Sequence, residues 1–101
     1  MNPMQQMVIQ MQKTQRELQK AHAELEAKEF KTNKAGLVDI TVLGSKEIVS
    51  IKIEADGFEA DNKEMIEELI RDGLNELFEK IDAEAASIDE KIAGKQGGFG
   101  F

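Results

Sequence analysis

With 101 residues and no cysteine, the chain is sized for one small domain, and disulfide and thiolate chemistry are excluded. Its formal net charge of −7 excludes a uniformly basic nucleic-acid coat. The charge is uneven, however: residues 1–34 carry six basic and four acidic side chains (+2), and residues 35–101 carry seven and sixteen (−9).

Residues 3–27 read as one helix. Pro3 suits the first helical position, where its missing N–H costs nothing, and good helix formers follow without a glycine. Met4, Met11, Leu18 and Leu25 recur at heptad spacing, and Met7, Val8, Ala21 and His22 widen them into a stripe that Thr14 and Gln15 interrupt. Methionine packs adaptably, so the stripe reads as core and interface rather than as a ligand pocket. On the other side of the helix, taking Lys13 as origin, Arg16 falls near −60° and Lys20 near −20° at about 100° per residue. Gln6 and Gln10 share that side, as do Glu17 and Glu24. Such a ridge serves either as a phosphate contact or as an ordinary hydrated helix face.

The segment 28–32 reads as a short strand with Phe30 inward, followed by a turn through Asn33 and Gly36. In 37–43, Val38, Ile40 and Val42 alternate with Asp39 and Thr41, the period of a half-buried strand. Gly44, free to take positive φ, opens the turn to a third strand, 48–54, with Val49, Ile51 and Ile53 on one face against Ser50 and Lys52. Asp61 is placed as N-cap of a second helix, 62–93, with Glu64 completing a capping box. Ile66, Ile70, Leu74, Leu77, Ile81, Ile88 and Ile92 trace its apolar face, with Glu67–Arg71 and Glu76–Lys80 as i,i+4 pairs. Gly94 ends the helix. The expected organisation is a single α+β domain over 1–94, α-β-β-β-α with a small antiparallel three-stranded sheet, and a glycine/phenylalanine tail over 95–101.

Helices of this length run to about 36 Å or more, whereas seven-residue strands reach only about 23 Å. One sheet therefore leaves helix ends uncovered. Met4, Met7, Val8 and Met11 at one end, and Ile88 and Ile92 at the other, are the expected contacts of a homodimer.

Enzyme signals fail on spacing. His22 is the only histidine, sits on the inner side of its helix and reads as a packed residue. Gly94-Lys95 lacks the hydroxyl residue and the earlier glycine of a phosphate loop, and EADGFEAD lacks calcium-loop spacing. No catalytic residue, metal site or cofactor is expected. The N-terminus has no secretory-signal pattern, and no apolar run approaches the roughly 20 residues of a membrane span. A soluble, intracellular protein is the expectation.

The stretches MQKTQRELQKAHAELE, AGLVDITVLGSKEIVSIKI and DNKEMIEELIRDGLNELFEKI, in this order and followed by a Gly/Phe tail, resemble the YbaB/EbfC family of bacterial nucleoid-associated proteins. Gly36-Leu37-Val38, Gly44, the acidic helix start from Asp61 to Ile70, Asn75 and Gly97-Gly98 carry the match. Lys34-Ala35 before a single Gly36, Leu43 before Gly44 and a tail without proline depart from it.

The resemblance implies a tweezer-like homodimer that binds double-stranded DNA with little sequence preference. It also implies a cytoplasmic, nucleoid-associated location and a replication or recombination protein as a further partner. Applied to this chain, the DNA contact falls to Gln6, Gln10, Lys13, Arg16 and Lys20, with Lys28, Lys31 and Lys34 beside them. The alternative is an interaction adaptor for a DNA replication or recombination factor, with Phe99 and Phe101 of the tail as anchors.

Overall fold

A computed structural model describes residues 2–94; the tail expected at 95–101 lies outside them. The order is α1 (Pro3–Ala27), β1 (Glu29–Lys34), β2 (Val38–Leu43), β3 (Ile48–Ile53), two short 3-10 turns (Ala55–Phe58 and Ala60–Asn62) and α2 (Lys63–Gly94). The α+β order α-β-β-β-α is as the periodicities predict. The sheet is antiparallel, with β2 between β1 and β3.

The core forms where α2 lies across one face of the sheet. Val38, Ile40 and Val42 of β2 are fully buried with Leu77, and Leu25, Phe30, Ile66 and Ile81 close around them. Strand alternation explains this: β2 sends every second side chain to the helix-covered face, and its burial alternates in step. On α2 the buried positions Ile66, Gly73, Leu77 and Ile81 keep one face toward the sheet. Gly73 sets the contact distance, since a Cβ there would lie 2.6 Å from Ile40 Cδ1.

Four local expectations are corrected. First, Asp61 lies inside the second 3-10 turn rather than capping α2, and the Asn62 side chain donates to the Asp56 carbonyl at 3.0 Å across the two turns. Second, β1 runs on to Lys34, which pairs with Val38, so Asn33 is a strand residue. Its Oδ1 accepts from the Gly36 N–H at 3.0 Å across the turn.

Third, a register shift between Thr41 and Val42 pairs Ser50 with Thr41 but Ile48 with Val42. Val49 is thereby the extra residue of a bulge, and Ile48 joins Ile51 and Ile53 in its place. Fourth, positive φ falls to Ala35, Gly36 and Lys46 rather than to Gly44. Gly44 is required for close approach: a Cβ there would sit 1.8 Å from the Leu25 carbonyl oxygen. That approach lets the β2–β3 turn close α1, with Gly44 N–H donating to the Lys28 carbonyl at 2.8 Å and Ser45 N–H to the Glu26 carbonyl at 3.1 Å.

The helices run antiparallel. His22 Nε2 lies 2.7 Å from Asp89 Oδ1, and Lys28 Nζ lies 2.7 Å from Glu84 Oε1. Continuing that register, α2 reaches Gly94 at about the level of residue 17 of α1. The first part of α1 therefore projects beyond α2 as a free arm roughly 20 Å long. The molecule is correspondingly extended, 71 × 23 × 14 Å.

Candidate nucleic-acid interface

The arm stays helical with nothing packed on it because its end is closed chemically. Asn2 Oδ1 accepts from the Gln5 N–H at 2.7 Å, and Gln5 Oε1 accepts from the Asn2 N–H at 3.3 Å, a capping box with Pro3 at the helix start. Continuity with the packed half supplies the nucleus that an isolated helix of that length would lack.

The eight cations and amides singled out in the sequence divide into two groups. Gln6, Gln10, Lys13, Arg16 and Lys20 are all exposed on α1. Among the described residues, the ion pairs involve none of Lys13, Arg16 and Lys20. From Gln6 to Lys20 the ridge runs about 21 Å.

Lys28, Lys31 and Lys34 lie elsewhere and are engaged. Lys28 binds Glu84 and lies over the Phe30 ring, 5.1 Å from its centroid. Lys34 pairs with Glu76, and Lys31 Nζ lies 3.9 Å from Glu29. Lys46, which the sequence reading did not single out, makes the same kind of bond to Asp82 at 2.9 Å.

The pairs of Lys28, Lys34 and Lys46 have a common cause. Helix α2 carries ten carboxylates and four cations between Lys63 and Gly94, a balance of −6, and it covers the sheet and the last turns of α1. It neutralises Lys28, Lys34 and Lys46; Lys13 and Arg16 stand on the arm beyond it, and Lys20 lies level with Lys91 in its last turn. At Glu76 the effect is measurable as acidity: hydrogen bonds from Lys34 and then Lys80 hold its carboxyl below the ordinary 4.5. The expected Glu76–Lys80 pair is present at 3.4 Å; Arg71 turns to Asp72, and Glu67 pairs with Lys63 instead.

Ile9 is a ridge residue that the charge pattern did not reveal. At about −40° from Lys13 it lies on the basic side, and with Gln6, Gln10 and Lys13 it lines a shallow depression. The ridge thus offers one apolar side chain among amides and cations.

The apolar candidates divide as well. Met4, Met7, Val8 and Met11 are exposed on the arm, Met4 to 75%. Ile88 and Ile92 are half-buried, and Ile88 packs against the core. They do not form an uncovered end, because α1 returns antiparallel to that part of α2. Unforeseen in the sequence, a second apolar surface lies along β3: Ile48, Val49 and Ile51 are exposed on this edge strand, and Phe58 and Met65 are exposed in the segment that follows it. The signal available was the position of β3 as the last strand, with one side unpaired.

His22 is half-buried on the inner side of α1, and its contact with Asp89 was not foreseen in the sequence. No group of histidine and carboxylate side chains among the described residues could hold a metal ion. No helix among them is long and apolar enough to cross a membrane.

The chain is similar to known proteins over most of its length. The sequence pattern of the YbaB/EbfC DNA-binding family matches residues 1–96. A nucleoid-associated protein of Lachnospira eligens is 40% identical over 79 residues, covering 77% of this chain and 68% of its own length. One from Clostridium novyi is 40% identical over 86 residues, covering 84% and 75%. One from Ruminiclostridium cellulolyticum is 36% identical over 91 residues, covering 89% and 79%. With its pattern matched over residues 1–96 and relatives of this identity, the chain belongs to the YbaB/EbfC DNA-binding family.

Proposed function

We propose that this protein is a non-catalytic, nucleoid-associated protein that binds double-stranded DNA as a homodimer, with little sequence preference, through the ridge of Gln6, Gln10, Lys13, Arg16 and Lys20. The observation that carries the reading is the contrast in pairing: among the described residues Lys13, Arg16 and Lys20 have no carboxylate partner, Lys13 and Arg16 on the arm beyond acidic α2 and Lys20 level with its last turn, while Lys28, Lys34 and Lys46 are held by α2. A ridge about 21 Å long spans roughly six phosphates of one strand. Lysine and arginine grip phosphate by charge, which fixes affinity and leaves sequence unread. Relatives named as nucleoid-associated proteins support the cellular setting, the bacterial nucleoid.

The homodimer is supported by the β3 edge. β1 carries Lys31 and Asn33 outward, residues that discourage strand addition, whereas β3 leaves Ile48, Val49 and Ile51 exposed beside an unpaired backbone edge. A second copy pairing along β3 covers that surface and presents two arms, hence six free cations. Lys28, Lys31 and Lys34 contribute little in this reading, being occupied by Glu84, Glu29 and Glu76.

The test is a triple charge reversal, K13E/R16E/K20E, measured by fluorescence anisotropy on a random duplex. Affinity is expected to fall by at least about a thousandfold at low salt, with the dimer mass and circular dichroism unchanged. Undiminished affinity contradicts the site. Separately, Ile51→Asp is expected to yield monomers by light scattering; a persisting dimer contradicts the β3 assignment.

A further inference from the structure

The arm has a second side. Residues 2–12 contain no charged side chain at all, although a third of the whole chain is charged. Met4, Met7, Val8 and Met11 form an exposed apolar stripe along this uncharged stretch. The stripe is the same heptad seam that, two turns further on, packs α1 against α2 through Leu18, Ala21, His22 and Leu25, all buried or half-buried. The seam resumes past Thr14 and Gln15, and there it meets α2, which reaches back only to about the level of residue 17.

We propose that the arm's seam docks on the same seam of a second copy, antiparallel, and that this contact joins one DNA-bound dimer to another. This rests on the reading above for the dimer and the DNA ridge. Four features of the arm select a second copy as the occupant.

With no charge on residues 2–12, two copies meet without repulsion, and an acidic or basic partner gains nothing from them. Antiparallel alignment keeps the two positive helix N-termini apart, whereas parallel alignment would bring them together. Centred between Met7 and Val8, the antiparallel register sets Met4 opposite Met11 in both directions, so the stripe is its own complement. Lastly, the basic ridge points away from the seam by roughly 160°, so paired arms keep Lys13, Arg16 and Lys20 outward for DNA.

The contact is small. Four side chains per arm fall well short of the roughly 20–30 residues a side of a stable interface, so it is weak between free molecules. Dimers lined up on DNA meet at high effective concentration, and there it closes. Because the β3 contact and the arm contact use different surfaces of the same chain, each joining like to like, the assembly is open-ended, and it bridges duplexes.

The test captures a fluorescent duplex on a second, bead-tethered duplex by way of the protein. The wild type is compared with M4Q/M7Q/V8Q/M11Q, which exchanges the seam for neutral helix-forming residues and leaves the ridge alone. Wild-type protein is expected to recover the fluorescent duplex. The variant is expected to lose most of that recovery while binding a single duplex within about twofold of wild type and keeping its helicity. Recovery unchanged in the variant, or wild type that binds but never bridges, overturns the proposal.

If DNA binding itself fails, the ridge is wrong and the arm contact is judged alone by disulfide trapping. The chain has no cysteine, so introduced ones report only each other. Met4→Cys mixed with Met11→Cys is expected to cross-link between the two variants, and each alone is expected to cross-link no more than Gln6→Cys on the ridge. Self-linking of Met4→Cys, or no cross-link in the mixture, overturns the antiparallel pairing.

Discussion

The arm of α1 and the body beneath α2 are built from the same few residue types and put them to opposite uses. In the body, apolar side chains are enclosed and lysines are matched: Ile40 and Leu77 are fully buried, and Lys28, Lys34 and Lys46 each reach a carboxylate of α2. On the arm, methionines and lysines alike face water. The −9 balance of the later two thirds of the chain is therefore not a field that repels DNA everywhere. Lys28 and Lys34 offset two of those charges at short range, and salt screens the remainder beyond roughly 10 Å. The arm extends past that distance. A net acidic protein can thus carry a basic DNA-binding element, provided the element projects.

That contrast can be broken first at the core. Ile40→Ala removes a side chain with no solvent exposure and is expected to destabilise the fold by about 3 kcal/mol, whereas Met7→Ala on the arm is expected to change stability by no more than about 0.5 kcal/mol. Urea melts of the two variants check this. Equal effects would mean that the arm is packed in solution.

A smaller loss is expected for Gly44→Ala, about 2 kcal/mol, because the new methyl group displaces the β2–β3 turn from the end of α1. Since the turn closes α1 at its inner end only, hydrogen exchange should quicken around Glu26 and Lys28 and stay unchanged at the arm tip, where Asn2 and Gln5 provide the cap.

Smaller still is the expected effect on DNA. Neutralising Lys28 or Lys34 singly should alter affinity less than twofold, against about fivefold or more for Lys13→Gln under the same low-salt conditions. Similar losses at both sites would remove the distinction between paired and free cations.

The smallest effect is in acid. Glu76 has its carboxyl lowered by Lys34 and Lys80, so its contribution is fully present above the ordinary 4.5 and is lost as pH falls through the lowered value. Glu76→Gln should melt below the wild type at pH 7 and converge with it near pH 3. A gap that persists in acid would assign the effect to packing instead.

Local patterns carried much of this architecture. Pro3, the unbroken run of helix formers and the β-branched alternation of 38–42 place α1 and β2 nearly to the residue. Legibility ended where distant residues decide. The role of Gly44 depends on Leu25, and Lys28 is neutralised by a glutamate 56 positions away. The bulge that withdraws Val49 from the face of Ile51 depends on how β3 registers against Thr41 and Val42. Asp61 and Glu64 spell a capping box, yet the chain there tightens into 3-10 turns that pack Gly57 against Ile53 and Ile66, and the cap is not used. The ridge itself was legible from angular arithmetic. What singles it out from Lys28 and Lys34, freedom from the carboxylates of α2, belongs to the tertiary structure.

The central claim is that free cations on two projecting arms make the DNA contact, and the salt dependence of binding tests it most directly. Anisotropy titrations of a random duplex from about 50 to 200 mM salt should give a log–log slope near −5, the value for about six neutralised phosphates, and roughly a thousandfold loss of affinity across that range. A slope near zero, or no binding even at the lowest salt, would contradict the account.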